Sequence, residues 1–175
     1  MTTPTRRIIS ILLQNEVGAL TRVAGLFSTR GYNIESLNVA ATDDPTVSRI
    51  TLVTTGNEQV IAQIVNQSLK LVDVVNVDDM TADAHIEREL LLIKLKVPVN
   101  QLAPLEKAIT EANARVLVDK PESFTIELTD REARVSKFLA TVSNYGEVLE
   151  TVRSGALAVY SGGETLKTIN VKQEA

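Results

Sequence analysis

The chain contains no cysteine and no tryptophan, and only one histidine, in 175 residues. Without cysteine there is no disulfide framework, no thiolate nucleophile and no Cys-ligated zinc or iron–sulfur centre. Three Tyr and three Phe are too few to build a stacking platform for nucleic-acid bases. Positive charge is also short: 18 Lys+Arg stand against 22 Asp+Glu, a net charge of −4, whereas a phosphate-binding face needs a basic surplus. Residues 1–80 carry 6 basic and 8 acidic side chains and residues 81–175 carry 12 and 14, so neither half conceals a basic module. The apolar run Ile8–Leu13 is short and interrupted by Ser10. It suits neither a signal-peptide core nor a membrane span of about 20 residues, and a cytoplasmic protein is expected. What remains is a 44% hydrophobic, 23% charged composition, ordinary for a folded chain of one large or two small domains.

Periodicity supplies the organisation. Ile8–Leu13 is a β-branched-rich run that reads as a buried strand. From Gly18 the period changes: Leu20, Val23, Ala24 and Phe27 mark one face of a helix that Gly31 ends. Asn33–Ala41 returns to a period of two, Thr42-Asp43-Asp44-Pro45 is turn chemistry, and Arg49–Thr55 is a further strand. Val60, Ile61, Ile64 and Val65 stripe a second helix, and Leu71–Val77 closes the set as a strand. The same order follows in strand Leu90–Val97, helix Leu102–Ala112, strands Ala114–Val118 and Phe124–Leu128, helix Arg131–Ser143 and strand Val148–Val152. The expected fold is α+β, two tandem ferredoxin-like βαββαβ domains, 1–82 and 83–175, with the seam near Ala82–Glu87. The tail from about Arg153 is read as an appendage or as a strand completed by a partner. Strands such as Ile8-Ile9 and Leu52-Val53 are apolar at both parities, so both sheet faces need cover. A second copy or domain is the economical source of it.

Few residues carry chemistry. His85, with Glu87 and Glu89, reads either as a metal-ligand set or as a solvated linker, and the Asp43-Asp44 pair as an acid–base or metal pair or as a solvated turn. Neither a nucleophile elbow, a His-Glu-x-x-His pair, a Gly-x-Gly-x-x-Gly loop nor a Walker pattern occurs. Asn66-Gln67-Ser68 fits a glycosylation sequon but falls on a helix in a chain without an export signal. No catalytic residue and no metal site are expected.

The informative place is Gln14-Asn15-Glu16-Val17-Gly18-Ala19-Leu20, where a strand hands over to a helix. A helix N-terminus leaves N–H groups unsatisfied with about +0.5 charge, and so suits a carboxylate. Gly18 lacks a Cβ that would obstruct a small anion, and Asn15 both donates and accepts. Equally, Asn15 can be only a helix cap and Gly18 only a turn residue. Asn33, in Gly31-Tyr32-Asn33-Ile34-Glu35-Ser36, is either a helix-stop residue or a group facing the Asn15 loop across a subunit interface.

Taken together, Arg7-Ile8-Ile9-Ser10, Asn15–Leu20, Leu26-Phe27-Ser28-Thr29-Arg30-Gly31-Tyr32-Asn33-Ile34-Glu35-Ser36-Leu37 and Thr42-Asp43-Asp44-Pro45 closely resemble the small regulatory subunits of acetohydroxyacid (acetolactate) synthase. His85-Ile86-Glu87-Arg88-Glu89 and Val152-Arg153-Ser154-Gly155 resemble them too, so the likeness covers about residues 5–160. It implies an N-terminal ACT domain, a C-terminal ferredoxin-like domain and a homodimer through the ACT domains. It further implies a separate large catalytic subunit, which holds thiamine diphosphate, FAD and Mg²⁺ and condenses pyruvate with pyruvate or 2-oxobutyrate. That is the first common step towards valine, leucine and isoleucine. The small subunit activates the catalytic one and confers feedback inhibition by valine, and the family's effector positions carry over to Asn15, Gly18 and Asn33. The expected site places valine's carboxylate at the amides of Val17, Gly18 and Ala19 beside Asn15. Its ammonium is held by acceptors that include Asn33 of the facing subunit, and its isopropyl group lies in an apolar gap, where a methylene is worth only ~1–3 kcal/mol. Two rivals remain at this point: an enzyme with a metal site of Asp43, Asp44 and His85, and a free-standing amino-acid sensor acting on another enzyme.

Overall fold

The computed structural model describes residues 3–163, 165 and 166. It divides into two compact units, one built from the chain up to Ile86 and again from Ala156, the other from Glu87–Gly155.

In the first unit the order is β1 (Thr5–Gln14), α1 (Ala19–Arg30), β2 (Ser36–Ala41), β3 (Val47–Gly56), α2 (Glu58–Ser68) and β4 (Val74–Asp79). The antiparallel sheet runs β2-β3-β1-β4, which leaves β2 on an edge. Ile9, Ile11 and Leu13 of β1 and Ile50 and Leu52 of β3 pack with Val23 and Phe27 of α1 and Ile61 and Ile64 of α2 in one core. Alternation along β1 sends Ile8, Ser10 and Leu12 to the other face. Of the expected helical stripe, Val23 and Phe27 are buried, but Ala19 takes the place at its start, while Leu20 is exposed. Gly31 takes the left-handed conformation (φ 69°) that stops α1, with Tyr32 N–H bonding to the Phe27 carbonyl at 2.9 Å.

The second unit repeats this plan with β5 (His85–Lys96), α3 (Leu102–Ala112), β6 (Arg115–Val118), β7 (Phe124–Asp130), α4 (Glu132–Val142) and β8 (Glu147–Arg153) in sheet order β6-β7-β5-β8. Its core joins Leu91, Ile93 and Leu95 to Phe124, Ile126, Val135 and Phe138. Glu89, buried, receives two bonds from Arg153, at 2.8 and 2.7 Å, and ties β5 to β8.

Two readings of the sequence need correction. The division falls after Ile86, within the expected seam of Ala82–Glu87, but not all of 83–175 lies in the second domain: that unit ends at Gly155, and the chain from Ala156 belongs to the first. In its described residues the tail is also neither an appendage nor a strand completed by a partner, and the remainder of it lies outside the described residues. Leu157–Tyr160 forms β9, which pairs with the first-unit end of β5, and Ser161 N–H and Oγ both donate to the Ala84 carbonyl at 3.0 Å. The reason is apolar cover. Ala156 and Ala158, with Met80, close over Ile8 and Val53 on the sheet face that the helices leave bare. Among the described residues no helix is long and apolar enough to cross a membrane.

Candidate functional site

At the end of β1 the chain makes a tight corner before α1. Asn15 N–H donates to the Thr46 carbonyl at 2.7 Å and its side-chain Nδ2 to the Pro45 carbonyl at 3.0 Å, which fastens the corner to the β2–β3 turn. Asn15 therefore does not cap the helix. The cap is Gly18, left-handed at φ 87° and ψ −11°, with no side-chain bond to the first turn. A glycine cap satisfies none of the helix's leading donors. Ala19 N–H turns back to the Glu16 carbonyl at 3.2 Å, whereas the amides of Val17, Gly18, Leu20 and Thr21 meet no backbone acceptor among the described residues. Of the three amides expected to meet a carboxylate, those of Val17 and Gly18 are thus open and that of Ala19 is engaged. Two apolar side chains stand at the rim: Val17 is fully exposed (101%) and Leu20 is 39% exposed.

A charged pair missed by the sequence reading flanks the corner. Arg22, one turn into α1, donates through Nη2 to Asp73 Oδ1 at 2.8 Å and through Nε to Oδ2. Its Nη1 would lie 3.0 Å from a Cβ placed on Gly18. The bond to Arg22 holds the Asp73 carboxyl below the usual carboxylate range. The signal available was only a basic residue on the polar side of a helix and an aspartate in an apolar run. Neither pointed at the other across 51 positions.

Asn33 lies elsewhere. Its carbonyl accepts from Thr54 Oγ1 at 2.6 Å, at the opposite end of β3 from Thr46, the partner of Asn15. The eight residue steps from Thr46 to Thr54 span about 26 Å of strand. One chain alone does not bring Asn15 and Asn33 together. Asn33 is not a left-handed stop residue either, since Gly31 fills that role.

The remaining candidates are local structure. Asp44 Oδ1 accepts from Thr46 N–H at 2.9 Å and Thr46 Oγ1 at 2.7 Å, bonds that lower its pKa. His85 Nδ1 lies 2.9 Å from the Asp83 carbonyl. Among the described residues no three His, Asp or Glu side chains gather as a metal-ligand group.

Comparison with known proteins fits this arrangement. Residues 9–76 match the model of an AHAS small subunit-like ACT domain and residues 88–162 that of the small subunit of acetolactate synthase. The acetolactate synthase isozyme 3 small subunit of Escherichia coli is 41% identical, over 93% of this chain and 99% of its own length. The probable small subunit of Archaeoglobus fulgidus is 36% identical over 91% of this chain and 99% of its own. The crystal structure of the small subunit from Thermotoga maritima superposes with a TM-score of 0.79 at 28% identity, covering 89% of this chain and 96% of that one. Fold, motifs and full-length similarity agree: the chain belongs to the acetolactate synthase small-subunit family.

Proposed function

We propose that this regulatory subunit makes a catalytic acetolactate synthase subunit responsive to valine. Valine binds at the Asn15–Gly18 corner of one chain and at Asn33 of a second. The observation that carries the reading is the set of open amides at the start of α1, next to the Gly18 cap and the spare Nη1 of Arg22. Together these unsatisfied donors, at the positive end of the helix dipole, suit a carboxylate. The exposed side chains of Val17 and Leu20 offer apolar contact to an isopropyl group.

Edge strand β2 supports the sharing of the site. If two copies pair antiparallel along β2, a twofold axis reverses the partner's strand. The end of the sheet where one chain keeps Asn15 then receives the other chain's Asn33. In this reading the homodimer forms through that edge of the first unit rather than through the sheet face, part of which β9 covers. Because each ligand touches both chains, its binding favours one dimer geometry. A coupling of ~1–3 kcal/mol suffices to alter the catalytic partner. Thiamine diphosphate, FAD and Mg²⁺ belong to that catalytic subunit, and the complex works in the cytoplasm.

The test is acetolactate formation by the catalytic subunit alone, with this chain, and with this chain plus valine. Activation followed by valine-dependent loss is expected. Binding to the catalytic subunit with no response to valine would redirect the reading to another effector.

A further inference from the structure

The sheet face of the first unit that points away from its helices changes character along its length. Near Ile8 and Val53 it is sealed by Ala156 and Ala158. Further along, at the Leu12–Arg49 register pair, it opens into a cavity of about 530 Å³ bounded by Leu12, Asp43, Asp44, Arg49 and Val159. These residues lie on the face of β1 and β3, the β2–β3 turn and β9.

Arg49 is the unusual member. Its Nε donates to Ser10 Oγ at 2.8 Å and its Nη2 to the Ala158 carbonyl at 2.8 Å, with the Met80 sulfur at 3.9 Å. All three partners are neutral, and Nη1 has no acceptor among the described residues. A half-buried guanidinium is ordinarily matched by a carboxylate, because desolvating a charge without a counter-charge is costly. Burial accordingly pushes the Arg49 pKa down. The two carboxylates that line the same cavity, Asp43 and Asp44, form no ion pair with it. Asp44 is held ionised by Thr46. The cavity therefore offers a cation and carboxylates left unjoined, beside the apolar walls of Leu12 and Val159.

We propose that this cavity is a second small-molecule site, for an α-amino acid with a short apolar side chain. The ligand's carboxylate lies on Arg49, its ammonium towards Asp43, and its side chain against Leu12 and Val159. Both poles of a zwitterion find an opposite charge there, which neither a simple anion nor a simple amine does. The site shares no residue with the Gly18 corner and stands independently of the valine reading.

The test uses the full-length Gly18→Asp chain, in which the corner is blocked, titrated by NMR with L-leucine. The readouts are the Arg49 Nε–H and Val159 amide signals. Saturable shifts are expected, weakened at least tenfold by Asp43→Asn, an exposed-turn change that leaves the fold intact, and by Arg49→Gln. Two half-ligands, 4-methylpentanoate and isopentylamine, are each expected to bind at least tenfold more weakly than L-leucine. Absence of saturable shifts, equal binding by either half-ligand, or unchanged binding in Asp43→Asn would overturn the proposal. Should Gly18→Asp leave valine binding at the corner intact, the effector reading fails, while the effects of Asp43→Asn and Arg49→Gln still decide this one.

Discussion

Substitution at Gly18 separates the folding role of that residue from its place in the proposed effector site. The residue has φ 87°, and a Cβ there meets Arg22 Nη1 at 3.0 Å. A non-glycine residue held left-handed costs about 1–2 kcal/mol. At roughly 4–8 °C per kcal/mol for a small domain, Gly18→Ala should lower Tm by about 5–15 °C without unfolding the chain. Gly18→Asp carries the same backbone cost, but its carboxylate is within reach of Arg22, so its Tm should not fall below that of Gly18→Ala. Binding should run the other way. The new carboxylate occupies the place of the ligand's own and engages the Nη1 that the Asp73 pair leaves spare on Arg22. Losing a charge-assisted hydrogen bond of about 1.5–3 kcal/mol weakens valine by roughly ten- to a hundredfold. The assay is calorimetric titration with valine beside a thermal melt of each variant, then acetolactate formation in the complex. Activation should persist in Gly18→Asp while inhibition disappears. If valine affinity simply tracks Tm, with Ala and Asp equivalent, the corner is structural and binds no carboxylate.

Glu89→Gln leaves Arg153 without its paired carboxylate in the second unit, with only Glu132 at 3.5 Å. It should cost about 2–4 kcal/mol in denaturant unfolding, yet leave valine affinity unchanged. Gly146→Ala places a Cβ 2.5 Å from the Lys96 carbonyl oxygen. The backbone must move, and a loss of about 1–3 kcal/mol is expected in the same measurement. The Arg22–Asp73 pair sets an acid dependence. Since the Asp73 carboxyl is held below its unfolded value of about 3.9, its contribution is complete above that pH. The contribution fades as pH falls through the lower folded value, so Asp73→Asn should flatten the acid limb of a melt series measured from pH 5 to 2.

Elements were readable from sequence where a local period decided them. The run Ile8–Leu13 and the stripe Val23 and Phe27 appear as β1 and α1, and Leu102–Ala112 is a helix with those bounds. The reading failed where the deciding partner was remote. Leu157–Tyr160 alternates too briefly to announce a strand. It becomes one because Ile8 and Val53, some 150 and 100 positions away, need cover on their own face. Leu20 fits the helical stripe as well as Ala19 does, but the close approach of α1 to the sheet admits the smaller side chain and leaves the larger at the rim. Of the candidate site, the corner itself was readable from Asn15 and Gly18. The Arg22–Asp73 pair was not, and the separation of Asn15 from Asn33 depends on strand register, which no local pattern encodes.

Whether two chains share one effector site can be read by counting valine bound to a mixed dimer of one Gly18→Asp chain and one Asn33→Ala chain. A shared site gathers both defects into one of the two pockets and leaves the other whole. One valine per mixed dimer is predicted, against none for either parent homodimer. A mixed dimer as empty as its parents would show that each chain builds its pocket alone.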